Sequence, residues 1–172
     1  MAMSTHTLLT SLFRYKAWAD NGLMASLAEL GADRPLDGVD TALHLLHHAH
    51  IVDRIFVANL QRQPHGYRAT ETPDLPPTAA LFDAIGETDR WFVDYVERLA
   101  EDDAGESIEF LFTDGSPGRM SREEMLGHVL AHGSYHRGEI GRILTQLTGS
   151  SPRDTFTGFL HEAEPERRER AR

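Results

Sequence analysis

At 172 residues, with 40% apolar and 26% charged residues, the chain is long enough for one globular domain whose core needs no covalent staple. It contains no cysteine, which excludes disulfides, thiolate metal sites and a cysteine nucleophile. A net charge of −10 argues against a nucleic-acid partner, and no apolar run approaches the roughly 20 residues that span a bilayer. With no leader-like N-terminal pattern either, a cytoplasmic address is the expectation.

Taken in order, residues 5–30 carry Leu8, Leu9, Leu12, Tyr15, Ala19, Leu23 and Leu27 at helical spacing, with Gly31 as the expected stop. A turn-rich connector, "ADRPLDGVD", leads to a second helix capped by Asp40 or Thr41 and running to about Gln63, before Pro64. Residues 64–77 form a proline-rich loop long enough to cross the end of a helix bundle. A third helix starts at Thr78 and carries Leu81, Ile85, Trp91, Tyr95 and Leu99. The alternation of Ile108, Phe110 and Phe112, followed by "TDGSPG", predicts a short hairpin. Ser121 and Glu124 make a capping box for a fourth helix that ends near Gly149. Beyond it, Phe156, Phe159 and Leu160 are expected to pack back on the helices. The expected fold is all-α: a four-helix bundle with one long connection and a short hairpin before the last long helix. It occupies residues 1–160, followed by a charged tail over 161–172. Trp18, Trp91 and Phe110 read most simply as core aromatics.

Histidine placement carries the functional signal. On the fourth helix, Met125, Val129, His132, Gly133, His136, Ile140, Ile143 and Leu147 share one side, so two histidines four residues apart sit on the inward face. The second helix, "TALHLLHHAHIVDRIFVANL", holds four more. His48 shares a stripe with Leu45, Val52, Ile55 and Phe56. His47 points the other way with Arg54 and Gln61, towards the expected solvated face. His44 lies at the stripe's edge, and His50 near a second apolar flank of Leu43, Leu46 and Val57. Three neutral nitrogen ligands therefore converge from two helices: His48, His132 and His136. His44, His47, His50 and His128 are expected at surface or supporting positions. There is no Glu-x-x-His pair of the di-iron type and no His-Glu-x-x-His.

Four stretches of the chain resemble the DinB-like family of DNA-damage-inducible proteins and related thiol-dependent enzymes. They are "YKAWADNGLMASLAEL", "HAHIVDRIF", "HVLAHGSYHRGEIGRIL" and "PRDTFTGFL". The third looks like the family's fourth-helix signature His-x-x-x-His-Gly-x-x-His-Arg-Gly-Gln. Carried over residue by residue, the resemblance places the family's metal triad on His48, His132 and His136. Asp20, Phe56 and Glu139 stand where the family usually has Asn, Trp and Gln. Arg137 has two readings, orientation of an anionic substrate or a salt bridge, and Glu139 is expected to pair with Arg142 or Arg137.

Three nitrogen ligands leave open positions on a tetrahedral or octahedral ion, the signature of a catalytic rather than a closed structural site. Zn²⁺ suits it and Ni²⁺ binds imidazole readily. Such an ion can lower the pKa of a water to about 7 or hold a small thiol as thiolate. The resemblance implies a metal-dependent hydrolase, or a transferase or isomerase using a low-molecular-weight thiol, acting on a small molecule. The competing reading is a non-catalytic metal-binding stress-response module. No general base is named by the sequence. A homodimer is expected, with apolar flanks of the first two helices buried between subunits.

Overall fold

The computed structural model describes residues 5–31 and 37–168. Four long helices dominate it: α1 (Thr5–Gly31), α2 (Asp37–Leu60), α3 (Thr78–Arg98) and α4 (Arg122–Thr148). A small antiparallel hairpin, β1 (Ser107–Leu111) with β2 (Pro117–Ser121), precedes α4. A short helix, α5 (Phe156–Ala163), and a 3₁₀ turn at Pro165–Arg168 follow it. The fold is mostly helical, as the all-α expectation has it. α2 packs chiefly on α4 and α1 chiefly on α3. No helix among the described residues is long and apolar enough to cross a membrane.

Local signals explain several boundaries. The Ser121 hydroxyl accepts from the Glu124 N–H while the Glu124 carboxylate accepts from the Ser121 N–H, so the capping box forms. Gly149, at φ 82°, ends α4 in the left-handed conformation that a side chain would strain. α2 differs from its expected limits at both ends. It begins at Asp37, a turn before the expected cap, and residues 32–36 of the connector lie outside the described residues. Its helix stops at Leu60 rather than Gln63. There the Gln63 N–H reaches the Ala58 carbonyl and the Arg62 N–H the Asn59 carbonyl, a Schellman closure. Arg62 takes the left-handed position (φ 57°) that glycine usually fills.

Two apolar clusters lie at opposite ends of the helices. One gathers Phe13, Val52, Phe56, Phe92, Val96, Met125, Leu126 and Val129, with Trp91, Tyr95 and Phe110 packed on it. The other gathers Leu23, Leu27, Ala42, Leu46, Leu81, Ile85, Ile140 and Leu144. Each Val, Leu, Ile, Met or Phe among them contributes about 1.5–3 kcal/mol by leaving water. The fully buried aromatics are Phe13 and Phe92, whose rings stack at 5.1 Å. Trp91 and Phe110 join the first cluster from its edge and stay half-buried, whereas Trp18, expected in the core, belongs to neither cluster. Trp18 instead lies under α5, 5.9 Å from Phe159, where Tyr15 also meets Phe156.

Between the two clusters lies a buried ionic hub to which every long helix contributes. Lys16 of α1 donates to Asp20 at 2.8 Å and Asp89 of α3 at 2.6 Å, and pairs with Asp53 of α2 at 2.8 Å. Arg137 of α4 reaches Asp20 at 3.3 Å and Asp154 at 2.9 Å. All five of Lys16, Asp20, Asp53, Asp89 and Arg137 are at most 5% exposed. The hub recentres α1: Phe13, Lys16, Asp20 and Leu23 face inward, while Leu8 is 39% exposed. Arg137 is therefore a structural ion-pair residue and does not face a substrate cavity as a free cation. Gly133 makes room for it, since a Cβ there would sit 3.3 Å from Arg137 Nη1.

A candidate metal centre on two helices

α2 and α4 bring His48, His132 and His136 together, with one ring nitrogen of each within 4.8 Å of the others. His132 and His136 are one helical turn apart, so their rings project from one face of α4 towards α2. The His132 Nε2 lies 3.2 Å from that of His48 and 3.1 Å from that of His136. All three residues are half-buried.

The outer edges of two rings are fixed by hydrogen bonds. His48 Nδ1 donates to the Thr70 carbonyl at 2.9 Å, which also pins the long α2–α3 loop to the site. His136 Nδ1 donates to the Glu139 carboxylate at 2.8 Å. Glu139 thus pairs with His136, not with Arg142 or Arg137 as expected. A partner on Nδ1 sets the tautomer and leaves Nε2 as a lone pair, the arrangement that metal-bound imidazoles use. His132 Nδ1 is buried without a hydrogen-bond partner. Its ring is held by stacking instead, parallel to His128 at 5.5 Å, and His128 in turn stacks on Phe56 at 4.7 Å.

These contacts test whether the donors fit a metal ion. In the neutral rings, His48 and His136 each aim an Nε2 lone pair at His132. A neutral His132 with its proton on Nε2 can donate to only one of them, which leaves the other lone pair without a donor. Protonation is a poor remedy. Burial, then the neighbouring His136 and His48, push the His132 pKa down to about 4. A cation among the three nitrogens answers all of them at once, and the donor set fits one.

The remaining histidines separate by environment. His47 is half-buried and lines a cavity of about 330 Å³ with His44, His48, His136, Leu45, Thr41, Glu71 and Thr72. That corrects its assignment to the solvated face, because the loop pinned through Thr70 folds over that side of α2. Burial first and His44 second lower its pKa. His44 sits 3.6 Å from Asp40. His50 lines a cavity of about 20 Å³, room for one water, whose other walls include His136 and the hub residues Lys16, Asp20, Asp53 and Arg137. Burial, with Arg54 and Lys16 nearby, pushes its pKa down to about 4. His128 is exposed.

Sequence reasoning missed Lys16 and Asp89 altogether. A period-3.6 check of α1 and α3 for polar residues on the apolar face was the available signal, because Lys16 and Asp89 fall between Phe13 and Leu23 and between Ile85 and Phe92.

A helical protein with a three-histidine group able to hold a metal ion is the class that this geometry defines. A model of the DinB family matches residues 3–169, and the chain belongs to that family. Comparisons with the curated proteins and with the solved structures found no match.

Proposed function

We propose that His48, His132 and His136 bind one divalent ion, Zn²⁺ or Ni²⁺, through their Nε2 atoms within a four-helix bundle. On this reading the protein is a metal-dependent hydrolase, or a transferase or isomerase that uses a low-molecular-weight thiol, acting on a small molecule. One observation carries the enzymatic reading: two of the three histidines, His48 and His136, form part of the wall of the 330 Å³ cavity. A structural site would be sealed by side chains, whereas this one borders space for a small molecule. Bound there, the ion would supply Lewis-acid activation of a water or thiol nucleophile. The chain's own groups do the rest. Thr70 and Glu139 hold two imidazoles in their binding tautomer, and Glu71 and Thr72 offer polar contacts to a substrate. The loop that carries them limits access of water. A homodimer is part of the same proposal, and light scattering at micromolar concentration checks it.

The test begins with elemental analysis of protein purified without a metal column, where one divalent ion per chain is expected. The loaded protein is then screened for hydrolysis of small esters and amides, and for conjugation of an electrophile with and without a small thiol. In the Co²⁺-substituted protein, a sulfur-to-metal charge-transfer band at millimolar thiol supports the thiol branch, and its absence supports the hydrolase. Stoichiometric metal without turnover in any assay leaves the non-catalytic module.

A further inference from the structure

Three elements wall the cavity of about 330 Å³ beside the histidine group. α2 supplies His44, His47 and His48, α4 supplies His136, and the α2–α3 loop supplies Glu71 and Thr72. Imidazoles are neutral at pH 8, so Glu71 then carries the one formal charge among the described residues of this lining. Arg68, a cation of the same loop, is not part of the wall.

Glu71 is held in that wall from both sides. Before it, the Thr70 carbonyl accepts from His48 Nδ1 at 2.9 Å, and after it, the Thr72 hydroxyl oxygen accepts from the Asp74 N–H at 3.2 Å. Peptide geometry then keeps Glu71 Cα within about 6 Å of His48 Nδ1. The residue is exposed, and among the described residues no cation pairs with it. Its carboxylate therefore stands at the cavity beside a histidine of the proposed metal centre and is open to a ligand.

A charge count gives this carboxylate a task, on the condition that the metal-centre reading holds. A divalent ion brings two positive charges. Glu139 behind His136 and Glu71 in the wall bring two negative ones, so the site is balanced before any ligand enters. A ligand whose reacting group is anionic leaves it one charge negative, and an ammonium elsewhere on that ligand restores neutrality. Asp40, 3.6 Å from His44, adds to the negative potential on the same side of α2.

We propose that the small molecule taken at this site carries an ammonium group, primary or quaternary, and that Glu71 receives it while the reacting group meets the ion. An anionic substituent at that end is disfavoured, because the wall offers it no cation.

The probes are three hydroxamates of similar shape: trimethylammonioacetohydroxamate, its neutral isostere 3,3-dimethylbutanohydroxamate, and the anion sulfoacetohydroxamate. A hydroxamate needs only open positions on the ion, whichever nucleophile the enzyme uses, and the far end alone differs in charge. Each is titrated into the Co²⁺-loaded full-length protein at pH 8 and low salt, and followed by visible absorption. Because the far end also changes the acidity of the hydroxamate, the readout is the change between variants. Glu71→Gln should weaken the cationic probe about two- to fivefold, the scale of an exposed ion pair, and leave the neutral one unmoved. Glu71→Lys should weaken the cation further and tighten the anion, and both effects should shrink as salt is added. Unchanged affinity for the cation in both variants, or equal changes for all three probes, would overturn the inference and leave the metal centre standing. No Co²⁺ uptake, or no spectral change with any hydroxamate, would instead overturn the open metal centre, and this inference with it.

Discussion

Two polar clusters interrupt the apolar packing of this protein, and they are built on opposite rules. In the hub around Lys16, cations and carboxylates face each other, and three carboxylates stand within 2.8 Å of the Lys16 ammonium. In the histidine group, three like donors converge and no carboxylate stands among them, since Glu139 is behind His136. The hub pairs its opposite charges within the chain and is almost wholly buried, with one oxygen each of Asp53 and Asp89 left without a hydrogen bond. The histidine group is incomplete within the chain and borders a cavity. A cluster of opposite charges can hold helices in register by itself, whereas a cluster of like donors suits a cation from outside the chain.

The comparison breaks first if the hub is dispensable. Lys16→Met removes the cation that Asp53 and Asp89 share, leaves Asp20 with Arg137 alone, and should cost on the order of 3–5 kcal/mol. For a chain of this size that lowers the melting temperature by roughly 6–20 °C. Circular dichroism melts check it, and a shift under two degrees would mean that the hub does not hold the fold.

The histidine group should matter to the fold only through its ion. His48→Ala, His132→Ala and His136→Ala should each abolish stoichiometric metal binding, while His47→Ala should not. Chelation at pH 7.5 should remove about 2.7 kcal/mol if the ion was at a hundredfold excess over its Kd, or very roughly 5–11 °C, without unfolding the protein. A random coil after chelation would make the site structural, and full metal retention in His136→Ala would refute the ligand assignment.

Glu139→Gln sharpens the contrast, because it touches the histidine group from behind while leaving the hub intact. Loss of the carboxylate on His136 Nδ1 should weaken metal binding about 10–100-fold in competition titrations. The melting temperature of the metal-free protein should move by less than about 2 °C.

The smallest effect is in pH. Burial, opposed by Lys16 and reinforced by Asp20, pushes the Asp89 pKa up to about 7. Between about pH 4 and 7 the folded Asp89 keeps a proton that the unfolded chain has lost, so its contribution to stability falls as pH rises through that window. Asp20, lowered chiefly by Lys16 and Arg137 against its burial, acts oppositely and loses its contribution at more acid pH. In the metal-free protein His132, pushed down to about 4, also loses stability as pH falls from about 6.5. Asp89→Asn should therefore subtract a downward slope, leaving denaturant-measured stability that rises more steeply from pH 4 to 7 than in the natural chain. An unchanged profile would mean that Asp89 is ionised throughout.

Much of this protein is decided by local chemistry that its sequence states outright. The all-α class, the hairpin, the capping box at Ser121 and the stop at Gly149 depend on neighbouring residues, so periodicity and turn signals predict them. His132 and His136 are one turn apart on one helix, and His48 lies on the apolar stripe of another, which is enough to expect that they meet. The tertiary structure decided the rest. The position of Lys16 on the inward face of α1 is legible in its spacing from Phe13 and Leu23, but which carboxylates meet it there depends on α2 and α3, which supply Asp53 and Asp89 from far away in sequence. The pairing of Thr70 with His48 and the cavity beside His47 arise where a loop folds over a helix. Loop paths follow from what they pack against, so only the folded chain could place those groups.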